Sequence, residues 1–208
     1  MTQSMTTSAK QAAPNTSSHD RILLAAKQLF AQRGYENTST VAIARQAGTS
    51  ESQLMKHFGS KEGLLEAIFE RGWTQLAPAM AKAKEEESPR ARLRALLETV
   101  IGGLEHDPEM LELMMLEARR VRREGNQVLV TSGFLQLLRL TDEILAQAQQ
   151  AGQIRAGLKP EVIRSGLMGM FEGLVRDLVL ARRTGYPAHY SRADMMSLFE
   201  AVIASMLK

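Results

Sequence analysis

The chain contains no cysteine. Disulfide frameworks, cysteine-bound zinc, iron–sulfur clusters and thiol nucleophiles are excluded together, and the absence suits a reducing compartment. Aromatic residues are scarce at 5%, and 15 Gly with 6 Pro are too few for a collagen-like or low-complexity chain. A strong charge of one sign is missing too: 26 basic against 23 acidic residues leave a formal net charge of +3. So mild an excess permits a nucleic-acid partner without demanding one, because one basic face can hide in a balanced total. Apolar runs are short and broken by charges, far below the roughly 20 residues of a membrane-spanning helix. No stretch alternates with period two, so no strand is predicted.

What is present is an ordinary globular composition of 208 residues, 44% hydrophobic and 24% charged, with 12 Met. That length suits one or two domains with a real core. Residues 1–17 are mostly Ser, Thr, Gln and Ala and read as a disordered tail, without the apolar segment of a signal peptide. Helical stripes follow. Ile22, Ala25, Ala26, Leu29 and Phe30 fall on one helix face, and Gly34 stops that helix. A helix beginning at Ser60 carries Leu65, Ile68, Phe69, Trp73 and Leu76, and Pro78 is expected to kink or end it. Pro89 and Pro108 open two more, the second closed by Gly125. Three further helices run from Val130 to near Gly152, from Pro160 to about Thr184, and from Ser191 onward. The fold class is therefore all-α.

Residues 35–60 differ in grain. Two helices of about two turns are each introduced by Ser or Thr and separated by Gly48. Ser50 and Gln53 form a Ser-x-x-Gln capping box, and Gly59 and Ser60 end one helix and cap the next. This is a helix-turn-helix. Ile43, Ala44, Ala47, Leu54 and Phe58 point inward, leaving Ser52, Gln53, Met55, Lys56 and His57 outward. Singly, a Ser-x-x-Gln is only a cap, His57 a surface histidine and Lys61 a solvated charge. Their joint spacing around the Gly turn is what favours DNA.

The segments ILLAAKQLFAQRGY and IARQAGTSESQLMKHFGSKEGLLEAI resemble the DNA-binding region of the tetracycline-repressor (TetR) family over about 50 residues. The Leu-Phe-x-x-x-Gly-Tyr ending, the Ile-Ala-x-x-Ala-Gly turn and His57-Phe58-x-x-Lys61 occur in order. The resemblance implies an N-terminal three-helix helix-turn-helix domain over 18–62 and a helical ligand-binding and dimerisation domain over 63–208. It implies operator DNA as partner, contacted by Ser39, Thr40, Ser50, Glu51, Ser52, Gln53, Met55, Lys56, His57 and Lys61. The DNA backbone suits Lys56 and His57; phosphates also suit Lys61, at a helix start, and the hydroxyls of Ser39 and Thr40. Gln53 is able to pair with adenine, and Met55 stands where the family commonly has Tyr, so it keeps an apolar contact without the hydroxyl bond. Val41 replaces a base-reading Arg of some members.

The resemblance further implies a cavity for a small hydrophobic effector, placed here among Met110, Met114, Phe134, Leu137, Met168 and Phe171. Core packing explains each of these residues taken alone, and Met adapts to varied ligands. Glu172 and Asp177, among apolar neighbours on one helix, suit either anchoring a cationic or hydroxylated ligand or facing solvent. Gly166, Gly169 and Gly173 sit within one helix, where Gly costs about 1 kcal/mol relative to Ala. Close approach of another helix would explain them, either within the subunit or, as the resemblance implies, across a dimer interface completed by the apolar last helix. Arg119, Arg120, Arg122 and Arg123 read as a solvated helix end, and less readily as a second nucleic-acid patch.

For enzymes the signals are lacking. His19, His57, His106 and His189 have no metal spacing, and there is no phosphate loop, G-x-S-x-G or dinucleotide fingerprint. The expectation is a cytoplasmic, cofactor-free homodimeric transcription regulator, most simply a repressor released by its effector. The alternative is a helical small-molecule-binding protein with no role on DNA.

Overall fold

The computed structural model describes residues 17–116 and 130–208; the tail, Gly125 and the Arg119–Arg123 cluster lie outside the described residues. Within them the chain forms helices α1 (Ser18–Arg33), α2 (Thr40–Gln46), α3 (Glu51–Phe58), α4 (Lys61–Lys82), α5 (Pro89–Glu105), α6 (Pro108–Met114), α7 (Ser132–Gln150), α8 (Pro160–Thr184) and α9 (Arg192–Met206). No strand is present among the described residues; a lone antiparallel bridge pairs Ile154 with Leu207.

Helix starts are written in side-chain oxygens. Ser17, Ser39, Ser50, Ser60, Ser88, Asp107, Thr131 and Ser191 each accept a backbone N–H of the helix that follows, satisfying donors that have no intrahelical partner. At α3 only half of the expected capping box exists. Ser50 accepts from the Gln53 amide at 3.2 Å, but the Gln53 side-chain oxygen instead accepts from the Thr49 hydroxyl at 2.6 Å.

Two other expectations change. Pro78 does not end its helix: α4 runs on to Lys82 and tightens into a 3₁₀ turn at Ala83–Glu85. The helix opened by Pro108 already ends at Met114.

Helices α1–α3 enclose a compact core. Ile22, Ala26, Leu29, Phe30, Ile43 and Leu54 are buried there, and Gly48 makes the turn between α2 and α3 at φ +64°, which favours Gly. Buried Thr38 donates to the carbonyls of Leu29 and Gly34 at 3.2 and 2.8 Å, fixing the loop. Helix α4 packs against both parts of the chain: it touches α1 and α3 of the N-terminal unit and α5 and α7 of the rest. The same cluster continues into α5, α7, α8 and α9, around residues such as Leu93, Leu96, Leu145, Leu167, Phe199 and Ile203. Gly133 is required by a close approach. A Cβ there would overlap the Trp73 side chain, so α7 backbone lies directly on that indole.

Candidate DNA-binding face and effector cavity

The outward face of α2 and α3 is preset by short polar contacts. The Thr40 hydroxyl donates to the Glu51 carboxylate, joining the first residues of the two helices. Gln53 has its oxygen held by Thr49. His57 Nε2 shares a 3.2 Å hydrogen bond with the Ser18 hydroxyl, and His19 stacks on Phe58 with centroids 4.8 Å apart. Lys61 Nζ donates to the Glu36 carbonyl at 3.4 Å and lies 4.3 Å from the centre of the Tyr35 ring. Ser52, Met55 and Lys56 project into solvent from α3, and Val41 does so from α2. Val41 and Met55 are 48% and 40% exposed, although apolar.

Beneath this unit a cavity of about 400 Å³ opens between α4, α5 and α6. Gly72 of α4 and Gly102 and Gly103 of α5 line it. A Cβ at Gly72 would press on Met110 and one at Gly103 on Leu76, both wall residues, whereas one at Gly102 would meet the Arg192 guanidinium. The walls are Phe69, Trp73, Leu76, Val100, Leu104 and Met110; the polar lining is Gln75, His106 and Asp107. A second hollow of about 250 Å³ adjoins it, sharing Gly72, Gln75, Asp107 and Met110, and reaches α1 at Asp20, Leu23, Leu24 and Lys27. Its polar groups are paired across the boundary. Lys27 Nζ donates to both carboxylate oxygens of Asp107 at 2.8 and 2.7 Å, and Arg71 of α4 pairs with Asp20 of α1. Asp20 is held below the usual carboxylate range by the Ser17 hydroxyl and then by Arg71. From the far side Arg183 of α8 donates to the Ala31 carbonyl and to Glu112, both at 2.8 Å.

The N-terminal unit matches the family model for bacterial regulatory proteins of the tetR family over residues 22–68, and residues 69–198 match that of the YsiA-like protein C-terminal region. The chain belongs to the TetR family. It is a DNA-binding transcription regulator, and the alternative without a DNA role is displaced by the match over 22–68. This TetR-family regulator is 27% identical to the fatty acid metabolism regulator protein of Bacillus subtilis over 165 residues, covering 77% of this chain and 82% of that one. It is 28% identical to the nucleoid occlusion factor SlmA of a Marinomonas species, covering 76% and 81%. Its fold is similar to that of the transcriptional regulator FadR from Bacillus subtilis, crystallised with stearoyl-CoA. The TM-score is 0.70 at 23% identity, covering 88% of this chain and 95% of that one.

The residues singled out for an effector are divided by the fold of this regulator. Met110 and Met114 line the large cavity. Phe134, Leu137, Met168 and Phe171 instead surround two gaps of about 20 and 30 Å³ further in, and Phe171 also lines a separate hollow of about 240 Å³ between α5, α8 and α9. Glu172 lines the first of these gaps, and Asp177 lies 3.9 Å from Arg176. The large cavity's own wall on α4 and α5 escaped sequence reasoning, as did the Lys27–Asp107 pair. A signal existed. Gly72, Gly102 and Gly103 are mid-helix glycines, as costly as the three in α8, and each marks a place where a side chain is absent for a reason.

On α8, a Cβ at Gly166 or Gly169 would meet nothing within 4 Å, so packing within the subunit does not explain either glycine. Val162, Leu180 and Leu198 are exposed on α8 and α9. The apolar stripe Met195, Phe199 and Ile203, expected at a dimer interface, is buried in this subunit's own core. No helix of the described residues is long and apolar enough to cross a membrane.

Proposed function

We propose that this chain is a homodimeric repressor, released from its operator when a small effector with an acyl chain enters the cavity between α4, α5 and α6. The single observation that carries the effector is the largely apolar cavity of about 400 Å³, whose lining includes only a few polar side chains, Gln75, His106 and Asp107. That is the size and character of a small-molecule site. The choice of an acyl chain is supported by the name of the Bacillus subtilis relative and by the stearoyl-CoA in the FadR structure.

Residues 18–62 form the DNA-binding unit and 63–208 the effector and dimer unit, with α4 as the element common to both. Ser39, Thr40, Ser50, His57 and Lys61 serve phosphates. Glu51, Ser52, Gln53, Met55 and Lys56 face the major groove. Exposed α8 and α9 surfaces around Gly166, Gly169 and Leu198 pair with a second copy. Two recognition helices then span successive major grooves. Met110 and Asp107 line both hollows, and Asp107 holds Lys27 of α1. A ligand that displaces either is felt at α1, and it shifts the population away from the DNA-competent spacing only through a difference in affinity for the two states. No cofactor or chemical turnover enters this scheme, and the cytoplasm is the compartment in which it operates.

The test uses duplexes recovered by genomic pull-down with the full chain. Palmitoyl-CoA should lower operator affinity by about fivefold or more, the lower range of measured allosteric couplings. Operator binding indifferent to acyl-CoA and to free fatty acids would overturn the effector assignment.

A further inference from the structure

The large cavity does not end in solid core. Trp73 and Met114 line it on one side and, on the other, line the first inner gap, whose remaining walls include Phe134, Met168, Phe171 and Val175. That gap shares Leu137, Met168 and Phe171 with a second gap leading to Leu96, Leu97 and Thr141. Three hollows therefore adjoin one another through shared side chains, the second gap also meeting the large cavity at Val100. At about 20 and 30 Å³ the inner two hold at most a water each. Protein cores are otherwise packed like organic crystals, so voids that adjoin through shared walls are a feature to be explained.

The two partition residues are unlike. Trp73 is 5% exposed, has α7 backbone against it at Gly133, and faces the Phe134 ring with centroids 6.1 Å apart. It cannot turn without moving α7. Met114 is half-buried at the last position of α6 and carries an unbranched side chain. Met168, which borders both inner gaps, is also half-buried. Thioether chains of this kind change shape at low cost and fill whatever space a neighbour leaves. The partition is thus a fixed post beside a movable leaf.

We propose that Trp73 and Met114 form a chain-length gate. A short acyl chain is accommodated by the outer cavity alone, whereas a long one displaces Met114 and then Met168 and threads the inner gaps toward Leu97. Selection for long chains then follows from apolar area buried beyond the gate, each further methylene tightening binding by about fourfold. This inference rests on the acyl-effector reading and adds to it the residues that set chain length.

The experiment uses the full chain and the thioesters octanoyl-, lauroyl-, palmitoyl- and stearoyl-CoA. Trp73 is the only tryptophan in the sequence and stands in the partition, so its emission reads occupancy directly. For the unaltered protein, affinity should rise steeply from lauroyl to palmitoyl. Met168→Phe puts a stiff ring across the inner gaps and should cut the palmitoyl-to-lauroyl affinity ratio at least tenfold, leaving octanoyl binding within twofold. Met168→Ala should move the ratio the other way and extend it to stearoyl. Opposite shifts from one position cannot arise from a folding defect, and thermal melts check both variants. If thioesters bind but the ratio is the same in all three proteins, the chain does not pass the gate and the proposal is overturned. If no thioester binds at any length, the acyl-effector reading itself fails, and the gate with it.

Discussion

Asp107 is the residue where the two halves of the molecule are most directly joined, and replacing it tests the coupling. Its Oδ1 accepts the Met110 amide at 3.0 Å as the N-cap of α6, and its carboxylate receives two hydrogen bonds from Lys27 of α1. Asp107→Ala removes both. The lost cap costs about 1 kcal/mol. The ion pair, with side chains 21% and 25% exposed, adds about 0.5–1 kcal/mol after allowance for solvent screening. The sum of about 1.5–2 kcal/mol should lower the melting temperature by about 3–8 °C in a chain of this length. Asp107→Asn keeps a capping oxygen and loses only the charge, so it should cost less than about 1 kcal/mol. A double-mutant cycle with Lys27→Met isolates the pair, and the expected interaction energy is about 0.5–1 kcal/mol. In operator titrations Asp107→Asn should keep basal DNA affinity while blunting release by palmitoyl-CoA. Two results would refute the reasoning: equal melting of the Ala and Asn variants, which removes the cap from the account, or additivity with Lys27→Met, which removes the pair.

Three further outcomes are expected. Gly169→Arg should leave the subunit folded, because nothing lies within 4 Å of its Cβ position, yet give monomers by light scattering; a stable dimer would place the interface elsewhere. On the DNA face, Lys61→Ala should weaken operator and scrambled duplexes alike and flatten the salt dependence by about one unit of slope. Met55→Ala should cost about 1 kcal/mol on the operator alone, and deoxyuridine in place of the contacted thymine should reproduce that loss; a sequence-selective Lys61→Ala would require a new placement of α3. Asp20 and Asp194 both lie below the ordinary carboxylate value of 3.8, the latter through the Ser191 amide and hydroxyl. A depressed native value stabilises the fold fully above the unfolded value and loses that contribution as pH falls through the native one. Asp20→Asn and Asp194→Asn should therefore lower stability to denaturant at neutral pH, with a deficit that shrinks as pH falls below the ordinary carboxylate range, and a deficit that does not shrink would contradict the sign.

Much of the molecule is legible in one dimension. Helix starts are, because a cap is a contact between residues three apart: Ser39 with Ala42, Ser50 with Gln53, Ser60 with Gly63. Inward faces are, because helical period decides them once the helix exists: Ile43, Ala44 and Leu54 are buried as their spacing requires. The outward residues of α3 follow from the same geometry. The continuation of α4 through Pro78 was not legible, since neighbours on α5 and α7 hold a helix that proline alone would interrupt. Nor was the side-chain bond of Gln53, where capping and the Thr49 hydroxyl compete for one oxygen.

The cavity belongs wholly to tertiary structure. Met110 and Phe171 are alike as apolar helix residues, and only the packing of α6 and α8 against their neighbours decides which hollows each one lines. The same holds for Lys27 and Asp107, 80 residues apart in sequence and joined because α6 lies on α1. Local sequence determined what each helix is and where it begins, because those energies arise within a few turns. Which empty spaces survive between helices, and which charges meet across them, was decided by three-dimensional packing, because voids and long-range pairs are properties of surfaces that no single segment contains.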